Sequence, residues 1–140
     1  MNLFVVDASV GLKWYLPEVH SDFAQRLSDG GHELHVPSLF YVEIGNALWM
    51  KVRRGELSPS DAESVFTKIA ALSIIRHPDA PLAPTALSLA FQTQRSVYDC
   101  IYLSLAVQLG TQVVTADERF WNALSKTPWS TSICWIENVP

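Results

Sequence analysis

Cysteine is scarce in this sequence: Cys100 and Cys134 are the only two, and they have no metal-ligand spacing. That excludes a disulfide-stapled scaffold and a thiolate zinc site, and both thiols fall in apolar contexts where burial is the ordinary outcome. Positive charge is short as well. Ten Lys and Arg stand against fourteen Asp and Glu, a net charge of -4, the reverse of what simple phosphate neutralisation would require. Any nucleic-acid function must therefore be local, with carboxylates masked by metal or the charge supplied by a partner. The start, Met-Asn-Leu-Phe-Val-Val-Asp, has no basic n-region, and no apolar segment reaches bilayer length. The expectation is a soluble, cytoplasmic protein with no membrane partner. Internal repeats, low-complexity tracts, linkers and long like-charge runs are all missing. With 140 residues, 49% of them hydrophobic, the chain is expected to form a single domain over 1–140 with a real core.

The stretch from Ser96 to Trp121 organises the rest. Ser96 and Asp99 have the form of a capping box, and Ile101, Tyr102, Leu105, Ala106 and Leu109 repeat at helical spacing until Gly110 ends the run. Val113 and Val114 then make a short strand that ends in Thr115 and Asp117, and Glu118 to Leu124 begin another helix. Leu3 to Val6 is a similar apolar, β-branched run that ends in Asp7. A short helix follows from Ala8 to Leu16, stopped by Pro17, and another spans Ser21 to about Leu27. Leu34 to Val36 reads as a second strand. Pro37-Ser38 introduces a long helix to about Arg54, with Leu39, Phe40, Ile44, Ala47, Leu48 and Met50 on its apolar side. Ser58-Pro59 opens a helix to about Leu72, Ser73 to Arg76 is a weaker strand, Ala83 to Thr93 is helical, and Ser132 to Ile136 is a last strand. Strands alternating with helices predict an α/β fold: a parallel sheet covered on both faces through right-handed crossovers.

Four acids acquire meaning in this frame. Asp7 and Asp117 lie at strand C-termini, where open α/β sheets bind ligands, Asp99 lies in a first helical turn, and Glu43 sits on the apolar side of its helix. Each has a bland reading, as a helix cap or as half of a buried ion pair. Together they place several carboxylates in one crevice. Like charges that close cannot all ionise unless a cation joins them. Oxygen donors without His or Cys at useful spacing favour Mg²⁺ or Mn²⁺, and the histidines at 20, 32, 35 and 77 follow no ligand pattern and read as surface or strand-edge residues. Such a cluster suits metal-assisted attack of water on a phosphodiester.

Asp7-Ala8-Ser9, Glu43 with Asn46-Ala47-Leu48, Tyr98-Asp99 with Tyr102-Leu103 and Ala106, and Thr115-Ala116-Asp117 with Phe120 resemble the PIN-domain nucleases, specifically the VapC-type toxins of bacterial toxin–antitoxin pairs. The resemblance spans nearly the whole chain in order and length. It implies a PIN-like three-layer α/β/α sandwich with a central, mostly parallel five-stranded sheet, and Mg²⁺- or Mn²⁺-dependent endoribonuclease activity. It also implies a homodimer and neutralisation by a small VapB-type antitoxin. Carried over by position, Asp7, Glu43, Asp99 and Asp117 are the catalytic acids, with Ser9 and Thr115 as supporting hydroxyls. Asp7, Asp99 and Asp117 would hold the metal, and Glu43 would orient or deprotonate the attacking water. Cys100 departs from the small residue usual after the third acid. Lys13, Arg95 and Arg119 lie near an acid and are candidates to meet RNA phosphates, as is the Lys51-Arg53-Arg54 group, whose alternative is the helix dipole. Trp14 is a candidate antitoxin or dimer contact, whereas Trp121, Trp129 and Trp135 are expected to pack.

Other families fit less well. A haloacid-dehalogenase phosphatase wants a second Asp where Ser9 stands, and a receiver domain wants an acidic pair where Asp7 is alone. A catalytically silent PIN-like scaffold that binds RNA or protein is the remaining alternative.

Overall fold

The computed structural model describes residues 2–140. Five strands form one sheet in the order β3-β2-β1-β4-β5, every neighbouring pair parallel: β1 (Leu3–Val6), β2 (Glu33–Pro37), β3 (Ile75–His77), β4 (Gln112–Thr115) and β5 (Ile133–Trp135). The expected mostly parallel sheet is thus wholly parallel. The chain winds outward from β1 to β3, then returns to the other side of β1 with β4. The switch point lies between β1 and β4, the place where such sheets open a crevice.

Seven α-helices connect the strands: α1 (Ala8–Gly11), α2 (Ser21–Asp29), α3 (Leu39–Arg53), α4 (Pro59–Ala70), α5 (Ala83–Thr93), α6 (Val97–Leu109) and α7 (Glu118–Ser125). The α-helices before β3 and those after it pack as separate groups, the α/β/α layering expected of a parallel sheet. α1 packs on α3 and α3 on α4, while α5 packs on α6, and α6 lies against β1 and β2. Local chemistry explains several ends. The Ser58 and Ser96 hydroxyls accept from the backbone N–H groups of Asp61 and Asp99, and Gly110 takes the left-handed conformation with φ 66°. The central strands are apolar on both sides, so Val5, Val6, Val113 and Val114 have no exposed surface.

Four expectations need correction. The helix expected over Ala8 to Leu16 tightens after Gly11 into a 3₁₀ turn over Leu12–Trp14. Trp14 is buried, with its indole N–H donating to the Ala24 carbonyl at 2.9 Å and its ring tilted against Phe40, so it is core and no partner contact. Met50, placed on the apolar side, is exposed, and His35, read as surface or strand edge, is buried between Glu33 and His77, bonded to them at 2.6 Å and 2.8 Å.

The packing of α1 on α3 depends on Gly11. A Cβ there would stand 2.6 Å from Cζ and 2.8 Å from Cε2 of the fully buried Phe40 ring. Gly11→Ala should therefore lower stability by about 1–3 kcal/mol through overpacking, read as a lower urea midpoint. An unchanged midpoint would show that Phe40 yields freely.

Candidate active site

The C-terminal ends of β1 and β4 place Asp7 and Thr115 beside each other. Thr115 donates its hydroxyl to Asp7 Oδ2 at 2.9 Å, and the Ser9 hydroxyl donates to the same oxygen at 2.5 Å. Both hydroxyls are themselves held, since Ser9 Oγ accepts from the Ala116 N–H and Thr115 Oγ1 accepts from the Asp117 N–H, each at 3.0 Å. One carboxylate oxygen is thereby pinned. Oδ1 accepts no hydrogen bond among the described residues and is left for a ligand. Asp7 makes no side-chain cap, so the bland reading does not apply to it.

Asp117 does cap α7: its Oδ1 accepts from the N–H groups of Arg119 and Phe120. Its other oxygen, Oδ2, faces Arg95 at 4.0 Å. Asp99 receives the same guanidinium more closely, with Nε at 3.1 Å and Nη2 at 2.7 Å from its Oδ2. Only the backbone N–H of Asp99 takes part in the Ser96 cap, so its carboxylate stays free for this contact.

Glu43 approaches from α3. Its Oε1 and the Tyr102 hydroxyl are sealed from solvent and face each other, yet neither makes a hydrogen bond of good geometry. The start of α3 is fixed from the end of the neighbouring strand β3, because Asp79 Oδ1 accepts the Leu39 N–H at 2.9 Å, and Asp79 also presses its charge on Glu43. Sequence reasoning gave Asp79 no role and read Tyr102 only as part of its helix's apolar repeat and of the family motif, not as a site residue. The mark of Asp79 was available: like Asp7, it follows a strand's C-terminal end.

The electrostatics join these groups into one unit. Burial, followed by the charges of Asp99 and Glu43, raises Asp7 to about 7 against the lowering effect of the two hydroxyls. Glu43 is raised by burial and by Asp99 and Asp79. Burial and Asp117 raise Asp99, although Arg95 pulls it down, and Tyr102 lies well above its ordinary value because burial, Asp7 and Glu43 all oppose a phenolate. The four sequence-derived acids therefore feel one another. Among the described residues no three acid, His or Cys side chains form a ready-made ion cage. Arg95 draws Asp99 aside and α7 engages one oxygen of Asp117.

The sequence profile of the PIN domain matches residues 4–124. This chain belongs to the PIN-domain family. Ribonuclease VapC3 of Pyrobaculum aerophilum is 34% identical over 119 residues, which cover 82% of this chain and 89% of that protein. Ribonuclease VapC9 of Mycobacterium tuberculosis is 31% identical over 117 residues, 84% of this chain and 87% of that one. The crystal structure of PAE2754 from Pyrobaculum aerophilum shares the fold with a TM-score of 0.72 and 26% identity, over 97% of this chain and 85% of that one. FitAB bound to a DNA fragment has the same fold at a TM-score of 0.70 and 12% identity, over 98% of this chain and 97% of that one.

Within this PIN domain the basic residues divide. Lys13 and Lys51 both pair with Glu18, at 3.4 Å and 2.8 Å, and Arg53 lies over the Trp49 ring. Among the described residues Arg95 is the one named cation whose side chain bonds to the acidic cluster, Arg119 meeting it through its backbone N–H. Trp121, Trp129 and Trp135 pack partly buried against the core, and both cysteines are buried free thiols. No described helix is long and apolar enough to cross a membrane.

Proposed function

We propose that this PIN domain is a Mg²⁺- or Mn²⁺-dependent endoribonuclease, the toxin of a toxin–antitoxin pair. The supporting observation is the convergence of Asp7, Glu43, Asp99 and Asp117 from four parts of the chain, three of them raised by burial and by neighbouring carboxylates. Glu43 Oε1 is buried with no hydrogen bond of good geometry and only the Tyr102 hydroxyl facing it, so a cation or its hydration water would satisfy it. The donor set is oxygen alone, which fits a hard divalent ion.

Asp7, Asp99 and Asp117 would hold that ion. When bound, it supplies positive charge that polarises water and the phosphodiester oxygens. Ser9 and Thr115 keep the Asp7 carboxylate in one orientation, as supporting hydrogen bonds do for metal ligands. Glu43, raised above the ordinary carboxylate range, is suited to take a proton from the attacking water. Tyr102 walls the space between Glu43 and Asp7 and stays a neutral phenol.

The ribonuclease names of VapC3 and VapC9 support RNA as substrate. A small VapB-type antitoxin needs an apolar surface to hold, and the groove between α3 and α4 offers one. It encloses about 360 Å³ lined by Gly45, Leu48, Trp49, Val52, Ala62 and Phe66. A homodimer belongs to the same reading, with the exposed Val42, Phe91 and Tyr98 as available apolar surface. Total RNA incubated with the purified protein should be cut in Mg²⁺ and spared in chelator. Cutting that survives chelation would reject the metal site, and RNA retention without cutting in Mn²⁺ would favour a silent scaffold.

A further inference from the structure

Arg95 sits at the mouth of the acidic cluster, immediately before α6, with its own N–H bonded to the Thr93 hydroxyl at 3.3 Å. Its guanidinium places two nitrogens on Asp99 Oδ2 and approaches Asp117 Oδ2 at 4.0 Å. A positive group thus spans two of the carboxylates, bonded to one and in ion-pair range of the other. The side chain is only partly exposed, 23%, so this is a held position rather than a solvated one.

We propose that Arg95 is a built-in counter-ion that occupies part of the cation position in the metal-free chain, competes with the divalent ion for Asp99, and is released towards the phosphate backbone when the ion binds. This rests on the metal-site reading above. The geometry supports each step. Both contacts of the guanidinium with Asp99 fall on one oxygen rather than a fork on two, so the pair is separable. Its attachment is short: Arg95 lies four residues before Asp99, so a guanidinium turned away from the carboxylate stays beside the site. Planar and permanently charged, it is suited to a phosphodiester, and its side chain bonds directly to the acidic cluster of this net-negative chain. The competition also protects the resting protein, because without a cation Asp99 and Asp117 would repel.

The test is Mn²⁺ binding by isothermal titration calorimetry on the full chain, with no RNA present. Arg95→Gln should bind Mn²⁺ about three- to tenfold more tightly than wild type, the factor a partly exposed ion pair can withhold. Arg95→Lys, which keeps the charge but loses the planar fork, should fall between. In Mg²⁺ titrations followed by NMR, the Arg95 Nε–H resonance should move in step with occupancy. Equal or weaker Mn²⁺ binding by Arg95→Gln, or an Nε–H resonance that ignores saturating Mg²⁺, overturns the proposal while the metal site stands. No Mn²⁺ binding by wild type and both variants overturns the site itself, and this proposal with it.

Discussion

Asp99→Asn is expected to reduce RNA cleavage by more than about a hundredfold while leaving the protein folded. Loss of a group that merely orients a metal ligand costs about 10- to 100-fold, so loss of a ligand should exceed that range. The fold should tolerate the change. Asn keeps the size of Asp, the backbone N–H that meets the Ser96 hydroxyl is untouched, and the ion pair lost with Arg95 is partly exposed and worth no more than about 1 kcal/mol. Initial rates on a labelled RNA in Mg²⁺, beside a urea unfolding curve, give both numbers. Activity within tenfold of wild type would remove Asp99 from the reaction. A collapse of stability would instead make its role structural.

The second large effect concerns Asp7 and pH. Its carboxyl ordinarily titrates at 3.8 and is raised to about 7 in the fold. Between those values the folded chain holds a proton that the unfolded chain has released, so folding stability must fall as pH rises through this window. At about 1.4 kcal/mol per pH unit, the gap amounts to at most about 4 kcal/mol. Glu43 and Asp99 shift the same way and add to the trend. Metal-free protein in chelator should therefore lose stability from pH 5 to pH 8. Asp7→Asn should flatten most of that slope and be the more stable protein at pH 8, although inactive. Mg²⁺ should restore wild-type stability above pH 7 and do far less for the variant. A variant that is less stable than wild type at pH 8 would contradict the claim that an ionised Asp7 opposes folding.

Much of the architecture was legible because local and global preferences agree here. The run Leu3–Val6, apolar and cut off by an acid, has no alternative to a buried strand, and strand–helix alternation with Ser and Gly at the helix ends leaves little but a parallel sheet. The exposed edge strand Ile75–His77 was placed less well, its start set two residues too early at Ser73, because it buries too little to impose a pattern. Long-range partners were not legible. The carbonyl of Ala24 that takes the Trp14 indole N–H, the His77 ring beside His35 and the Asp79 cap on α3 are brought by crossovers, and no local spacing announces them. Arg95 was visible four residues before Asp99, but its position between two acids depends on β4 delivering Asp117. The positions of Asp7, Glu43, Asp99 and Asp117 could be named from two strand ends, one first helical turn and one misplaced charge, and the Ser9 and Thr115 hydroxyls from the family resemblance, whereas the Arg95 contact with Asp99 could not be read as a bond.

The central claim is that carboxylates remote in the chain share one divalent cation. Crystals soaked in Mn²⁺ and measured at the manganese absorption edge test it directly. The account predicts an anomalous peak within coordinating distance of the Asp7 and Asp99 carboxylates, facing Glu43. A protein that binds Mn²⁺ only elsewhere, or leaves this crevice without a peak at saturating ion, would contradict it.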